Sequence, residues 1–127
     1  MRLGTARKPS KYKNKITEYN GMKFPSKAEA KQAQDLDFAK EIGAIRGWVK
    51  QVRFMLGVPE NVYIADFVVW TNNGTCYAID VKGKRTAKFE RDVKLWARYA
   101  PINLHIVTGG KCVEVITPEC LRGTNEH

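Results

Sequence analysis

The sequence is poor in the residues from which zinc sites and nucleophilic triads are built. It has two histidines, His105 and His127, and three cysteines, none of them in a C-x-x-C pair. This scarcity argues against a disulfide framework, a cysteine zinc site, a histidine-metal nuclease and a Ser-His-Asp constellation. We expect His105 to be an ordinary strand residue and the cysteines to be reduced thiols.

Long apolar runs are also missing. No stretch approaches the roughly 20 apolar residues of a membrane span, and the charged start of the chain lacks the apolar core of a secretory signal. We therefore expect a cytoplasmic protein without a membrane partner. The length of 127 residues is that of one domain.

Acidic residues are absent from the start of the chain. Residues 1 to 15 contain six of the basic residues and no acid, so they supply most of the net charge of +9. Such a segment predicts a disordered tail that neutralises phosphates, and the alternative is a solubilising terminus. We therefore divide the chain into a basic tail (1–15), a single domain (16–120) and a C-terminal tail (121–127).

The first folded elements are predicted by a turn signal and a capping signal. Asn20-Gly21 separates two short β-prone runs in "TEYNGMKF", and both central positions of such a hairpin turn need positive φ. Ser26 is a predicted N-cap, and good helix formers continue from it to Gly43. The sequence therefore predicts a hairpin and then a helix.

Strands and a second helix follow. The runs "WVKQVRFML", "VYIADFVVW" and "TCYAIDVK" are rich in β-branched and aromatic residues, which predicts an antiparallel meander. In "TAKFERDVKLWARYA" apolar residues recur at helical spacing, and "INLHIVT" and "CVEVI" are again strand-like. The predicted fold class is α/β (α+β), with a mixed central sheet flanked by helices and preceded by a β-hairpin.

The third strand of the meander ends in an acid-x-lysine pattern. Within "YAIDVK", strand alternation places Asp80 and Lys82 on one face. If "NNG" (residues 72 to 74) forms a three-residue hairpin loop with its glycine in the left-handed position, Asp66 lies opposite Asp80. A two-residue Asn-Gly turn would instead place Asp66 opposite Val81.

Two ionised carboxylates in such positions repel each other. At about 4.5 Å and an effective dielectric near 20, the repulsion is about 3 to 4 kcal/mol at most. A divalent cation would compensate, and Mg²⁺ prefers one or two carboxylates with waters and phosphate oxygens. Lys82 would complement this site by holding water or stabilising phosphoryl charge. The alternative is an Asp80–Lys82 surface pair of little energetic weight.

Glu29 is predicted to lie on the inward face of the first helix, near Ala33 and Leu36. An inward glutamate needs a partner. Ser26 and Glu29 also match the S-x-x-E capping box, in which the glutamate returns to the amide of the cap residue. The spacing locally favours the cap and does not separate that role from a place in a metal site.

Three segments in order, "FPSKAEA", "YIADFVVW" and "AIDVKGKRT", resemble the PD-(D/E)XK nuclease superfamily, above all its small phage-encoded members and junction-resolving endonucleases. The resemblance covers roughly residues 17 to 107. It implies a restriction-endonuclease-like αβββαβ core and a Mg²⁺-dependent phosphodiesterase site, in which Mn²⁺ is expected to substitute. A phage-encoded protein would work in the bacterial host cell.

The resemblance also implies roles for individual residues. Glu29, Asp66 and Asp80 would bind or orient the metal. The Val81 carbonyl would be a further metal ligand, and Lys82 would assist the nucleophilic water.

Two positions depart from the superfamily pattern. Ala65 stands where the motif has its proline, and Asp80 stands where glutamate is frequent. Both are common variations in that superfamily. Gln51 resembles a polar residue that some relatives aim at the site, although an exposed strand glutamine is the simpler interpretation.

Basic residues of the tail and of the segment just beyond the site are candidate DNA contacts. The tail would neutralise phosphates, and the segment beyond the site places positive charge beside it. The candidates, with Gln51, are Lys84, Arg85, Lys88, Arg7, Lys8, Lys11 and Lys13. The tryptophans could stack on bases, but their apolar contexts favour core packing for Trp48, Trp70 and Trp96.

The leading hypothesis is a metal-dependent endodeoxyribonuclease that hydrolyses phosphodiesters by in-line attack of a metal-activated water. Its expected substrate is branched or Holliday-junction DNA from phage recombination, replication or packaging, and symmetric cleavage of both strands predicts a homodimer. One alternative is a basic DNA-binding protein without activity. Another is a restriction-like or transposon-end nuclease that reads sequence, although the chain shows no separate recognition domain.

Overall fold

The structure of the protein is a computed structural model that describes residues 15 to 122. Its elements are β1 (Thr17–Tyr19), β2 (Met22–Phe24), α1 (Lys27–Glu41), β3 (Gly47–Met55), β4 (Val62–Trp70), β5 (Cys76–Val81), α2 (Ala87–Tyr99), β6 (Asn103–Thr108), β7 (Lys111–Ile116) and α3 (Glu119–Arg122). This order is the predicted one, except for the short α3, which the sequence did not indicate. The tail candidates Arg7, Lys8, Lys11 and Lys13 lie outside the described residues.

The β1–β2 hairpin and α1 form where their local signals predict them. Asn20 and Gly21 have φ of 54° and 80°, the left-handed values that the hairpin turn requires. The Ser26 hydroxyl caps α1 by accepting a hydrogen bond from the Glu29 amide, and Gly43 follows the helix with φ of 81°. No helix in the described part of the chain is long and apolar enough to span a membrane.

The five-stranded sheet has the order β3-β4-β5-β6-β7. The first three strands are an antiparallel meander, as predicted. β5 and β6 pair in parallel because α2 carries the chain over the sheet between them, and β7 returns antiparallel to β6. The sheet is therefore mixed, and β5 lies in its centre with a partner strand on each side.

Each face of the sheet has its own buried cluster. On one face, α1 places Ala33 and Leu36 against Phe67 and Ile79. On the other face, α2 contributes Phe89 and Trp96, which pack with side chains of β4, β5 and β6. The amphipathic stripe predicted for α2 is confirmed, since Phe89, Trp96 and Ala100 are buried and Val93 is partly buried.

The tryptophans do not all take the predicted core positions. Trp96 is fully buried and donates its indole N–H to the Ile102 carbonyl at 2.8 Å. Trp48 is half-buried and donates to Asp37 at 2.9 Å. The prediction is wrong for Trp70, which is 40% exposed because it ends β4 opposite Gly47 on the edge strand.

The histidine and the cysteines behave as ordinary residues of the fold. His105 is half-buried in β6 and stacks on the Tyr77 ring, with 4.1 Å between the ring centroids. Burial lowers the pKa of His105 below its usual value, which favours the neutral imidazole. Cys76, Cys112 and Cys120 are free thiols.

Candidate active site

The β4–β5 hairpin sets the register of the two central aspartates. Trp70 pairs with Cys76 and Phe67 pairs with Ile79 across the ladder, while Gly74 in the loop has φ of 91°. These pairs confirm the three-residue loop. One step beyond the last ladder pair, Asp66 comes opposite Asp80.

The pleat of the sheet is interrupted at Asp66. Ala65 packs on the α2 face and Phe67 on the α1 face, although residues two apart in a regular strand share a face. On the neighbouring strand, Lys50 pairs with Phe67 and Val52 with Ala65, which puts Gln51 beside Asp66 at the same break. Gln51 has φ of 58°, a left-handed value that is uncommon for a residue other than glycine.

Asp80 lies at the end of β5 and is 3% exposed, the only charged residue that is buried among residues 15 to 122. Its Oδ2 atom accepts a short hydrogen bond from the Tyr63 hydroxyl, which reaches it from β4. The Lys82 ammonium is 3.5 Å from the same oxygen. A buried carboxylate is stable only when it is paired and hydrogen-bonded. The Tyr63 hydroxyl and the Lys82 ammonium meet this requirement for Asp80.

Asp66 is partly buried and its Oδ2 atom accepts a 2.7 Å hydrogen bond from the Val81 amide. Burial raises the pKa of Asp66 far above its ordinary value, and the neighbouring Asp80 and Glu29 carboxylates raise it further. The Val81 amide acts in the opposite direction but is the weaker influence. The pair of aspartates therefore resists carrying two negative charges without a cation.

Lys82 follows β5 directly and is held from two sides. Its ammonium group lies near Asp80 and 4.6 Å from the centre of the Phe89 ring. Phe89 lies on α2 and is buried. The Thr86 hydroxyl caps α2 by accepting a 3.1 Å hydrogen bond from the Phe89 amide. The start of α2 thus fixes the ring that supports the lysine.

Glu29 lies at the edge of the same site. It is half-buried and lines a groove together with Val81 and Lys82. Burial raises the pKa of Glu29, and the Asp80 charge adds to the shift. Its carboxylate accepts a hydrogen bond of 3.4 Å from the Ser26 hydroxyl. The predicted capping box instead has the glutamate accept from the amide of the cap residue.

The basic candidates in the described part differ in their partners. Arg85 binds Glu90 on α2 with two hydrogen bonds of 2.6 Å and 3.0 Å, and it also pairs with Glu114 on β7. Lys88 pairs with Asp92 at 3.0 Å. Lys84 is exposed and forms no ion pair with another residue between 15 and 122. Gln51 is exposed, and its role as a DNA contact stays a prediction.

The carboxylates offer a divalent cation an incomplete cage. Within the described residues, no three Asp, Glu, His or Cys side chains form a cluster that could hold a metal ion. Mg²⁺ typically takes one or two carboxylates and completes its shell with waters and phosphate oxygens. Asp66 and Asp80 fit this preference, and Glu29 is near enough to influence Asp66 electrostatically. The proposed role of the Val81 carbonyl stays a prediction.

Two contributors to the site were missed by the sequence analysis. Tyr63 is three residues before Asp66, so regular alternation would place the two on opposite faces. The break at Asp66 instead brings the Tyr63 hydroxyl to Asp80. The support of Lys82 by Phe89 had no local signal either, because it depends on how α2 docks onto the sheet.

The fold and the site together define a class, a small mixed α+β protein with an acidic pair on two neighbouring strands, β4 and β5, and a lysine directly after β5. The chain belongs to the family described as "Protein of unknown function (DUF1064)", which matches residues 9–114. No curated protein and no solved structure matches the chain.

Proposed function

We propose that this protein is a Mg²⁺-dependent endodeoxyribonuclease with a restriction-endonuclease-like αβββαβ core. The observation that carries the proposal is the opposition of Asp66, in the middle of β4, and Asp80, near the end of β5, with the Lys82 ammonium 3.5 Å from Asp80. Two crowded carboxylates repel each other and destabilise a domain, whereas a hard cation such as Mg²⁺ is commonly bound by one or two of them. The resemblance of the sequence to PD-(D/E)XK nucleases supports the same conclusion.

In this proposal Asp66 and Asp80 hold the cation, and Glu29 orients groups at its edge. When bound, Mg²⁺ would supply positive charge beside the phosphoryl group that is being cleaved, and Mn²⁺ is expected to replace it. Tyr63 keeps Asp80 in place through its hydroxyl. Val81 does the same for Asp66 through its amide.

Lys82 places its ammonium group beside this pair, 3.5 Å from the Asp80 carboxylate. The side chain is 31% exposed, so it remains accessible to a ligand. From there it can donate hydrogen bonds to an attacking water or to a phosphate oxygen, and its charge stabilises negative charge that develops during hydrolysis. Phe89 restricts its movement and so orients it.

The resemblance supports branched DNA as the substrate and a homodimer as the active form. Cleavage of two strands at symmetric positions needs two sites, which a twofold dimer provides. In a phage, such an enzyme would act on recombination, replication or packaging intermediates.

The proposal is tested by incubating the wild-type protein and Asp80→Asn with a four-way junction and with a linear duplex of matched sequence, each in Mg²⁺ and in EDTA. We expect the wild type alone to cut, only with Mg²⁺, and to prefer the junction. Asp35→Asn is the matched control, because it removes an exposed carboxylate that pairs with Lys31 on α1. It should cut like the wild type.

Binding of both DNAs without cleavage in any divalent cation would exclude the enzyme and leave the basic DNA-binding protein. Preferential cutting of the linear duplex at one fixed sequence would support a sequence-reading nuclease.

A further inference from the structure

A lysine-rich groove adjoins the acidic pair. It has a volume of about 650 Å³ and lies between the start of α1 and the loop that joins β5 to α2. Four lysines line it, and Glu29 is the only acid among the described residues of its lining. The lysines are Lys15, Lys27, Lys82 and Lys84.

Three of these lysines have no counter-charge within the part of the chain that the structure describes. Lys15, Lys27 and Lys84 are exposed, and none forms an ion pair with a residue in the described range. They come from three separate segments, so their convergence is produced by the fold. Lys27 is also the first residue of α1, where the helix dipole disfavours a positive side chain. An anion in the groove would relieve both effects.

The groove continues into the pocket of the acidic pair. Lys82 and Thr86 line both the groove and a neighbouring cavity of about 330 Å³ that contains Asp66 and Asp80. A ligand that spans the two needs one phosphate at the carboxylates and another among the lysines. A nucleic-acid strand meets this need, because it carries a charge about every 3.4 Å along the helix axis of each strand.

The rest of the lining of the 330 Å³ cavity has a different character. That cavity is lined by Val62 and Ile64, which are 43% and 44% exposed, and by Asp92. Lys88, which also lines this cavity, pairs with Asp92 at 3.0 Å. Free positive charge in the described lining is therefore on the side of the lysine-rich groove.

We propose that the lysine-rich groove binds the sugar–phosphate backbone of a nucleic-acid strand on one side of the phosphodiester that is cut. The location of the cut rests on the nuclease function proposed above, whereas binding in the groove does not. Lys15, Lys27 and Lys84 contact the flanking phosphates, and Lys82 lies between those phosphates and the acidic pair. Arg85 and Lys88 take no part, because carboxylates already occupy them.

The test measures binding of a fluorescent DNA duplex by anisotropy in EDTA, over a series of KCl concentrations, for Lys27→Ala, Lys84→Ala and the double variant. We expect each single change to lower the affinity about threefold or more, and to reduce the slope of log K against log[salt] by about 0.9. Lys40→Ala is the matched control, since Lys40 lies in the last turn of α1, outside the groove. It should leave both quantities unchanged.

If the two groove variants match Lys40→Ala in affinity and in salt slope, the groove proposal is wrong. Inorganic phosphate is added in a parallel series at an ionic strength matched with KCl, and we expect no displacement of the DNA beyond the KCl control. Greater displacement would show a site for free phosphate and would overturn the proposal.

The outcome is independent of catalysis. A wild-type protein that cuts DNA while the groove variants bind normally would refute the groove and leave the nuclease intact. A protein that never cuts, but loses affinity with Lys27 and Lys84, would refute the nuclease and leave the groove.

Discussion

Asp66 is the residue at which the requirements of the site oppose those of the fold. Its carboxylate is partly buried beside Asp80 and has one backbone donor, the Val81 amide. Burial and the two neighbouring carboxylates raise its pKa, so the metal-free protein pays for an ionised Asp66 in stability. Functional sites commonly show this opposition between stability and activity.

We predict that Asp66→Asn stabilises the metal-free protein by about 1 to 3 kcal/mol at neutral pH. The amide keeps an acceptor for Val81 and offers a donor to Asp80, while the repulsion disappears. The raised pKa means that the folded state holds its proton to higher pH than the unfolded state. The wild type therefore loses stability relative to the variant as the pH rises above the ordinary aspartate value of 3.8.

Urea denaturation in EDTA across a pH series checks this prediction. Below the ordinary aspartate pKa the residue is protonated in both states, so the gain should vanish there. Asp35→Asn should show no comparable gain at any pH. A variant less stable than the wild type at neutral pH would contradict the assignment of repulsion to this pair.

Tyr63 is predicted to be a positioning residue that acts through Asp80. Tyr63→Phe removes the hydroxyl that donates to Asp80 but keeps the ring, which packs 5.5 Å from Trp96. We expect the affinity for Mn²⁺ to fall about 10- to 100-fold, as for other groups that orient metal ligands, while the fold is retained. Isothermal titration calorimetry measures the affinity and circular dichroism the fold.

Tyr19→Phe is the control for this change, since its hydroxyl donates to Asp37 at 2.7 Å, between β1 and α1. That variant should bind Mn²⁺ normally. An unchanged Mn²⁺ affinity in Tyr63→Phe would show that the hydroxyl only satisfies a buried carboxylate.

At the scale of the elements, the paired strands β3 and β4 carry the break in the pleat. Gln51 takes the left-handed conformation there, which strains a residue that has a Cβ atom by about 1 kcal/mol or more. Because of the break, Tyr63 and Ala65, which precede Asp66 in the sequence, both face α2. A strained strand next to the acidic pair therefore gives the site a side-chain arrangement that a regular strand would not provide.

We predict that Gln51→Gly leaves the free energy of unfolding unchanged or raises it by up to about 1 kcal/mol, because glycine tolerates positive φ. Arg53→Gly, two residues along the same exposed edge, should lower it by about 0.5 to 1 kcal/mol. Urea denaturation of the two variants compares the signs. Equal losses would mean that the left-handed residue carries no strain.

The order of the elements was predictable because local signals specify it. Asn20-Gly21 specifies the hairpin turn and Ser26 the start of α1, each through neighbouring residues in the sequence. The loop at residues 72 to 74 sets the register of the two aspartates. The break at Gln51 and the contact of Tyr63 with Asp80 could not be predicted, since the alternation rule assumes a continuous pleat. The exposure of Trp70 depends on the edge of the sheet, which the sequence does not mark.

At the scale of the whole molecule, binding of a cation at the acidic pair should raise the stability of the folded protein. A cation that binds only the folded state raises the free energy of unfolding by RT ln(1 + [L]/Kd), where [L] is the free cation concentration. This is about 2.7 kcal/mol when that concentration is a hundred times Kd. We predict that Mg²⁺ raises the Tm of the wild type well beyond the effect of KCl at equal ionic strength. Asp80→Asn should lose most of this increase, and differential scanning calorimetry compares the two.

A Tm increase of the same size in the wild type and in Asp80→Asn would contradict a cation site at the acidic pair. The result would then reflect general screening among the many positive charges of the chain, whose net charge is +9.

The hydrogen bond from the Val81 amide to Asp66, 2.7 Å long, turns one backbone group into a reporter of the site. Amide protons of a strand normally point to carbonyl oxygens, whose charge does not change with pH, but this one points to a carboxylate. Its proton and nitrogen frequencies in a two-dimensional NMR spectrum should therefore follow both the titration of Asp66 and the arrival of a cation. A single cross-peak of the unmodified protein can thus be used to observe the site, with no substrate present.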